Sequence, residues 1–256
     1  MLREPLLRAG AYLFVFLLGM ITGGYFPKPY SDAVCLFAVL AILLTEWLCF
    51  SEKGHAPLRL LPKRESAPTL LLLPVFFTVT LGINLLSSLI FPLSRDALAP
   101  ILPTPALFIG AVLLAPITEE LLFRGILLRM LGRYGDGWAI LLSAIAFALA
   151  HSNFFQMPYA LVAGLFLSFA ATMGGSILYP YFFHLAYNLC TFFSGSLSPL
   201  RLLGITGGIA VAALIALVFI RPAWRPSRGE RPRLRHTWLL LLYAAETVYI
   251  ATRQLL

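Results

Sequence analysis

The stretch APITEELLFRGIL (residues 115–127) sets two adjacent carboxylates and a guanidinium, Glu119, Glu120 and Arg124, inside a run that is otherwise apolar. In a water-soluble helix this would be an ordinary charged turn. Here 60% of the 256 residues are hydrophobic and only 12% are charged, whereas a soluble domain carries roughly 25% charged residues. So little charge cannot coat a soluble surface of this size, and the chain reads as an integral membrane protein. Three charged groups within such a chain therefore need a reason to be there.

A spanning helix takes roughly 20 mainly apolar residues. Eight runs qualify, at about 9–27, 33–50, 69–93, 105–131, 137–152, 157–174, 176–197 and 202–220. A ninth, 237–256, carries Glu246 and Arg253 and suits either a span or an interfacial helix. None alternates polar and apolar residues as a barrel strand does. The expected fold is all-α, a polytopic membrane helical bundle of about eight transmembrane helices. The first run is too long for the core of a signal peptide and no cleavage site follows it, so it reads as a retained helix.

The basic residues orient the bundle. With the N-terminus in the cytoplasm, the inner segments hold Arg3, Arg8, Lys53, Arg59, Lys63, Arg64, Arg129, Arg133, Arg221, Arg225, Arg228, Arg231, Arg233 and Arg235, and the outer ones only Lys28, Arg95 and Arg201. Fourteen against three is the bias expected of cytoplasmic loops. The formal net charge of +8 thus reports topology and contact with anionic lipid, above all at the Arg/Pro-rich linker 221–236, and not nucleic acid. Cys35, Cys49 and Cys190 have no CxxC spacing and indicate neither a disulfide framework nor a cysteine metal site. The pairs Gly19/Gly23 and Gly204/Gly208 have the spacing of closely packed helices. No internal repeat is evident, which disfavours an inverted-repeat transporter.

Buried charge in a bilayer usually faces a polar interior and serves function. Besides the opening three, the polar residues within spans are His151 at the end of the fifth and His184 and Asn188 on the seventh; Glu46 and Glu246 read as interfacial. Residues four apart share a helix face, so Glu120 and Arg124 can pair, while Glu119, about 100° round the helix, is left to face a cavity. A competing reading makes Thr118 the cap of a helix starting after a break at Pro116, with the glutamates in its first turn. His184 and Asn188 also share a face. If the seventh helix begins near Gly174–Gly175 with Ser176 as cap, a rise of about 1.5 Å per residue lets Glu119, His151, His184 and Asn188 meet about mid-membrane, on the cytoplasmic side, with a slight kink at Pro180.

A carboxylate and an imidazole can share the activation of a water molecule, and a second imidazole with a carboxamide can stabilise an oxyanion. These are the parts of an amide hydrolase with water as nucleophile. Zinc held by Glu119, His151 and His184 is the competing arrangement, although no H-E-x-x-H pair is present. Buried Glu and His also build proton relays, so a proton-coupled transporter is a second class. A non-catalytic bacteriocin-immunity-type membrane protein is a third.

In order along the chain, EELLFR (119–124), FALAH (147–151) and HLAYN (184–188) resemble the EExxxR, FxxxH and HxxxN motifs of the CAAX-protease and bacteriocin-processing family (CPBP, or ABI) of intramembrane proteases, which includes the type II CAAX prenyl endopeptidase. The similarity spans about 115 to 190. It implies a catalytic core at 105–197, flanked by N-terminal helices (1–104) and by a last span, linker and apolar end (198–256), in one membrane domain. It implies hydrolysis of a peptide bond in a membrane-protein or lipidated-peptide substrate, in a bacterial-type cytoplasmic membrane. Glu119 and His151 would activate water, His184 and Asn188 would hold the oxyanion, and Glu120 and Arg124 would support them. Family catalysis can be read as glutamate-dependent or as metal-dependent. The expectation taken here is that no cofactor is required.

Overall fold

The computed structural model describes residues 4–27, 29–50, 64–91, 104–193, 198–220, 225–232 and 237–253. Of the orienting cations, Arg3, Lys28, Lys53, Arg59, Lys63, Arg95, Arg221, Arg233 and Arg235 lie outside the described residues, as does the side chain of Cys49.

The described chain folds into nine helices: α1 (Pro5–Gly23), α2 (Tyr30–Phe50), α3 (Leu72–Ile90), α4 (Pro105–Tyr134), α5 (Asp136–Ala150), α6 (Met157–Gly174), α7 (Leu178–Phe193), α8 (Pro199–Ile220) and α9 (Trp238–Arg253). Six are long and apolar enough to cross a membrane: α1, α2, α4, α6, α8, and α3 with the residues just before it. The chain is an integral multi-pass membrane protein. With no water to satisfy backbone groups in hydrocarbon, helices are the form such segments must take. Among the described residues the extended pairing is a single bridge between Gly135 and Arg228.

Six helices reach spanning length rather than eight because α5, α7 and α9 are short. At 15, 16 and 16 residues each runs about 22–24 Å at 1.5 Å per residue, less than the ~30 Å hydrocarbon core. The turn at 151–156 that ends α5 is consequently drawn into the bundle. It is built by the left-handed Ser152 (φ +48°) and by Asn153, whose Oδ1 accepts from Phe155 N–H at 2.8 Å. Irregular backbone at such depth is tolerated where it lines a cavity, and this turn does so.

α4 is continuous through Pro116, so the expected break is not there. Wide π-type turns at Phe108–Leu114 and Leu121–Leu127 flank Ala115–Glu120. Thr118 is no cap: its hydroxyl donates back to the carbonyl of Leu114 at 2.8 Å. Widened turns of this kind are common at functional sites, and these two bracket both glutamates. On α7, Ser176 does cap, accepting from Leu178 N–H at 3.1 Å after the left-handed Gly175. The helix itself begins at Leu178, a few residues later than expected.

α9 joins the bundle rather than lying apart from it. Its residues Tyr243, Thr247 and Ala251 are buried at four-residue spacing, and the Tyr243 hydroxyl donates to the carbonyl of Ala146 on α5. At one end of the molecule the linker is tied to the α4–α5 turn. Ser227 N–H donates to Asp136 Oδ2, Glu230 N–H donates to the carbonyl of Arg133, and the two side chains pair at 3.1 Å. Tyr134 reaches the backbone of Leu6 there. Arg8, Arg129, Arg133, Arg225, Arg228 and Arg231 therefore belong to one end. Arg8 is nonetheless buried, 3.7 Å from Glu46, which also accepts from the Tyr12 hydroxyl. Glu46, near the end of α2, is thus also a packing partner between α1 and α2.

Small residues set the helix spacing in some places only. A Cβ on Gly23 would lie 2.9 Å from the Ser31 carbonyl oxygen, and one on Gly19 3.1 Å from Ala38 Cβ, so the α1–α2 expectation holds. Gly204 and Gly208 face open space within 4 Å, and that packing expectation is corrected: α8 meets α3 and α6 through Ala210 and Ala213 against Val75 and Phe166 instead. Gly164 on α6 is the close contact the sequence did not flag, since a Cβ there would sit 2.9 Å from Ala144 Cα on α5. Gly164→Ala is expected to destabilise by about 1–3 kcal/mol through overpacking, and Gly204→Ala to be neutral or mildly stabilising. Thermal unfolding of the two variants in detergent, side by side, checks the contrast.

Candidate active site

Glu120 is 1% exposed and Arg124 2%. Removing both charges from solvent is costly unless they are paired and their remaining bonds are filled. Arg124 Nη1 donates to Glu120 Oε1 at 2.9 Å and Nη2 to the carbonyl of Gly164 at 3.2 Å. The guanidinium also lies 4.4 Å from the centre of the Phe147 ring, a cation–π contact strengthened by desolvation. The i,i+4 pair read from the sequence is therefore present, and it is anchored to α6 and α5 as well.

The same oxygen, Glu120 Oε1, takes a second hydrogen bond from His184 Nδ1 at 2.8 Å. A carboxylate accepts, so Nδ1 carries the proton and Nε2 points the other way, 3.8 Å from Glu119 Oε2. The ring of His184 thus spans the gap between the buried carboxylate and the one facing the cavity. Sequence spacing put Glu120 with Arg124 and placed His184 elsewhere, so this link was not foreseen.

Glu119 has a side chain 22% exposed, and among the described residues no group donates a hydrogen bond to its Oε2. It lines a cavity of about 460 Å³ with His151, His184 and Asn188. The structure accordingly brings the four sequence-nominated residues together. His151 Nδ1 donates to the carbonyl of Phe147 at 2.9 Å, which leaves Nε2 as the acceptor in the neutral ring. Asn188 Nδ2 donates to the carbonyl of Ala111 at 2.9 Å and keeps a second N–H. A smaller cavity of about 270 Å³, bounded by α1 and α2, lies on the far side of the same partition, sharing Ala115, Glu119, His151 and Gln156 with the first.

Two further residues escaped the sequence reading. Phe147 enters the sequence reading only as the first residue of FALAH, with no contact assigned to it. Its ring is edge-on to both His151 (5.0 Å) and His184 (5.8 Å) while its face meets Arg124, so one aromatic plate fixes three polar side chains. Gln156 borders both cavities, and its only sequence signal was a polar residue in the turn after His151. Around the large cavity, Asn84 on α3 donates to the Tyr187 hydroxyl at 3.3 Å.

Among the described residues no three His, Cys, Asp or Glu side chains are grouped so as to hold a metal ion. The Nδ1 bonds of His184 to Glu120 and of His151 to Phe147 leave Nε2 as the free ring nitrogen of each histidine.

Residues 100–190, spanning α4 to α7 and all four cavity residues, match the family model of type II CAAX prenyl endopeptidase Rce1-like proteins. This stretch is similar to that family. The Rce1-like family is a protease family. No curated protein and no solved structure matches the chain.

Truncating Arg124 would strand a buried carboxylate. Arg124→Leu is expected to lose about 3–5 kcal/mol of stability. The double variant Glu120→Gln/Arg124→Leu should lose less than the sum of the singles, since the stranded charge is gone. Thermal melts of the three variants and the parent give the coupling.

Proposed function

We propose that this protein is an intramembrane endopeptidase that hydrolyses a peptide bond of a membrane-associated or lipidated protein with a water activated by Glu119 and His151. The observation that carries the reading is the meeting of Glu119, His151, His184 and Asn188, from two helices and the end of a third, around one cavity. The Rce1-like core supports the general class, a CAAX-type protease.

In the proposed reaction a water in the cavity donates to Glu119 and to Nε2 of His151, the two acceptors that face it. Its oxygen bonds to the scissile carbonyl carbon as its proton passes to Glu119. The oxyanion so formed takes hydrogen bonds from the second Asn188 N–H and from His184 Nε2–H. That donor exists only in the imidazolium form, because Nδ1 already gives its proton to Glu120. An imidazolium between Glu119 and Glu120, with Arg124, balances two carboxylates with two cations. The C–N bond then breaks as Glu119 returns its proton to the leaving amine nitrogen. Every step runs on protein side chains and water, and the mechanism requires no metal.

A transport path would have to cross the bundle. The large cavity instead runs from one end to the middle: its lining includes Leu107, Gln156 and Phe192 but none of the residues at the arginine-rich end. This favours the hydrolase over a proton-coupled transporter. The exposed Arg228 and Arg231 beside Arg133 suit a surface resting on anionic headgroups of a cytoplasmic-type membrane.

Glu119→Gln keeps the shape of the site and removes the base, and is expected to lower turnover by about 10²–10⁴-fold with an unchanged melting temperature. Asn188→Ala is expected to cost about 10²–10³-fold, as for one oxyanion donor. Mass spectrometry of membrane-protein termini in wild-type and Glu119→Gln cells supplies substrate and readout together, and identical termini would overturn the assignment. With the substrate in hand, cleavage by purified enzyme should persist in a strong chelator; loss that added zinc restores would return the site to the metallo class.

A further inference from the structure

Hydrolysis consumes one water for each bond cut, and a substrate seated at Glu119 competes with that water for room. His184 and Asn188, the two donors read for the oxyanion, border the large cavity and not the small one. The scissile carbonyl therefore has to stand on the large-cavity side. At about 460 Å³ that cavity is the size of an ordinary ligand site, roughly 300–1,000 Å³, and such sites bury most of what they bind. A chain segment filling it displaces the water held there. The next water then needs a second way to Glu119 and His151.

The small cavity is placed to provide it. Ala115, Glu119, His151 and Gln156 form the wall that it shares with the large one, so the catalytic pair proposed above is reached from both sides. Its other walls are Phe16 and Met20 on α1, Asp32 and Cys35 on α2, Thr118 on α4 and Ala150 on α5. Apolar cavities stay dry, whereas a cavity with polar partners holds water. Here Asp32, 8% exposed, and Gln156 add polar atoms to those of Glu119 and His151. Thr118 Oγ1 spends its proton on the Leu114 carbonyl and so offers the cavity an acceptor. At about 270 Å³ there is room for several waters at roughly 30 Å³ each. α1 and α2 lie outside residues 100–190, which match the family model, so this chamber is closed by helices to which the match assigns nothing.

We infer that the small cavity is a water-binding chamber that resupplies the water between Glu119 and His151 while substrate occupies the large cavity, with α1 and α2 as its outer wall. The use of that water rests on the hydrolase reading; the hydration of the chamber does not. An apolar side chain of the substrate is the competing occupant, and Phe16 and Met20 would suit it. It would also press against two carboxylates, Asp32 and Glu119, and strip them of water, which is costly. Narrowing the chamber should therefore slow the chemical step and leave the binding of substrate, on the other side of the partition, intact.

The test fills the chamber from two helices in the full-length protein. Met20→Trp fills it from α1 and Cys35→Phe from α2, so loss of folding in one, seen by thermal melt in detergent, leaves the other. The substrate is the one found from Glu119-dependent termini. In each variant kcat is expected to fall about tenfold or more with KM within about twofold, and Glu119→Gln protein should bind the substrate equally with and without Met20→Trp. Unchanged kcat overturns the inference, and so does a raised KM with weakened binding, which would make the cavity a substrate pocket. A second arm needs no turnover. Cys49→Ala and Cys190→Ala leave Cys35 as the one thiol, and its infrared S–H stretch is followed after transfer into D2O. Exchange to S–D in the folded protein, slowed by Met20→Trp, is the expected result; an S–H band that persists until unfolding shows a dry chamber and overturns the inference. Cleavage that depends on Glu119 yet ignores both bulky variants sinks the chamber alone. Identical termini in wild-type and Glu119→Gln cells sink the hydrolase reading, and the catalytic use of the water with it.

Discussion

A single oxygen holds this site together. Glu120 Oε1, almost fully buried, accepts from Arg124 on its own helix and from His184 on α7. A carboxylate in that position without both donors would be an uncompensated charge in an apolar interior, which proteins do not tolerate cheaply. The bond therefore does two jobs at once. It makes the charge of α4 tolerable, and it locks the tautomer and direction of the His184 ring, so that Nε2 is turned toward Glu119 and the cavity.

The rest of the core serves this arrangement. Gly164 permits α6 to approach α5 closely enough for its carbonyl to receive Arg124. Phe147 fills the space between the guanidinium and the two imidazoles. The π-type turns around Ala115–Glu120 flank adjacent glutamates that reach different environments, one buried and paired through Oε1, the other facing the cavity. That difference, between neighbours in sequence, separates a carboxylate held in the packing from one open to the cavity.

Much of this was legible in the sequence because the membrane imposes a strict rule: a polar side chain there must have a purpose. The rule alone nominated Glu119, Glu120, Arg124, His151, His184 and Asn188, and helical spacing alone paired Glu120 with Arg124. Spacing failed where contacts cross between helices. Nothing along the chain says that His184 meets Glu120, that Phe147 is shared by three side chains, or that Gln156 borders two cavities. Spacing also misled where a local signal competes with tertiary packing. Thr118 and Pro116 look like a helix start, yet the helix continues because neighbouring helices and widened turns absorb the proline; Gly204 and Gly208 look like a packing motif, yet α8 turns other residues inward.

The sequence by itself determined that this chain is an all-helical membrane protein, which polar side chains gather at one cavity, and which charged pair would neutralise itself on one helix. These follow from composition and from periodicities of one chain against lipid. Only the tertiary structure decided that His184 meets Glu120, that α5 and α7 stop short, and that the cavity reaches the face away from the arginines. Those depend on distances between segments far apart in sequence, set by close packing and by the need to satisfy buried charge, and neither is written in the local order of residues.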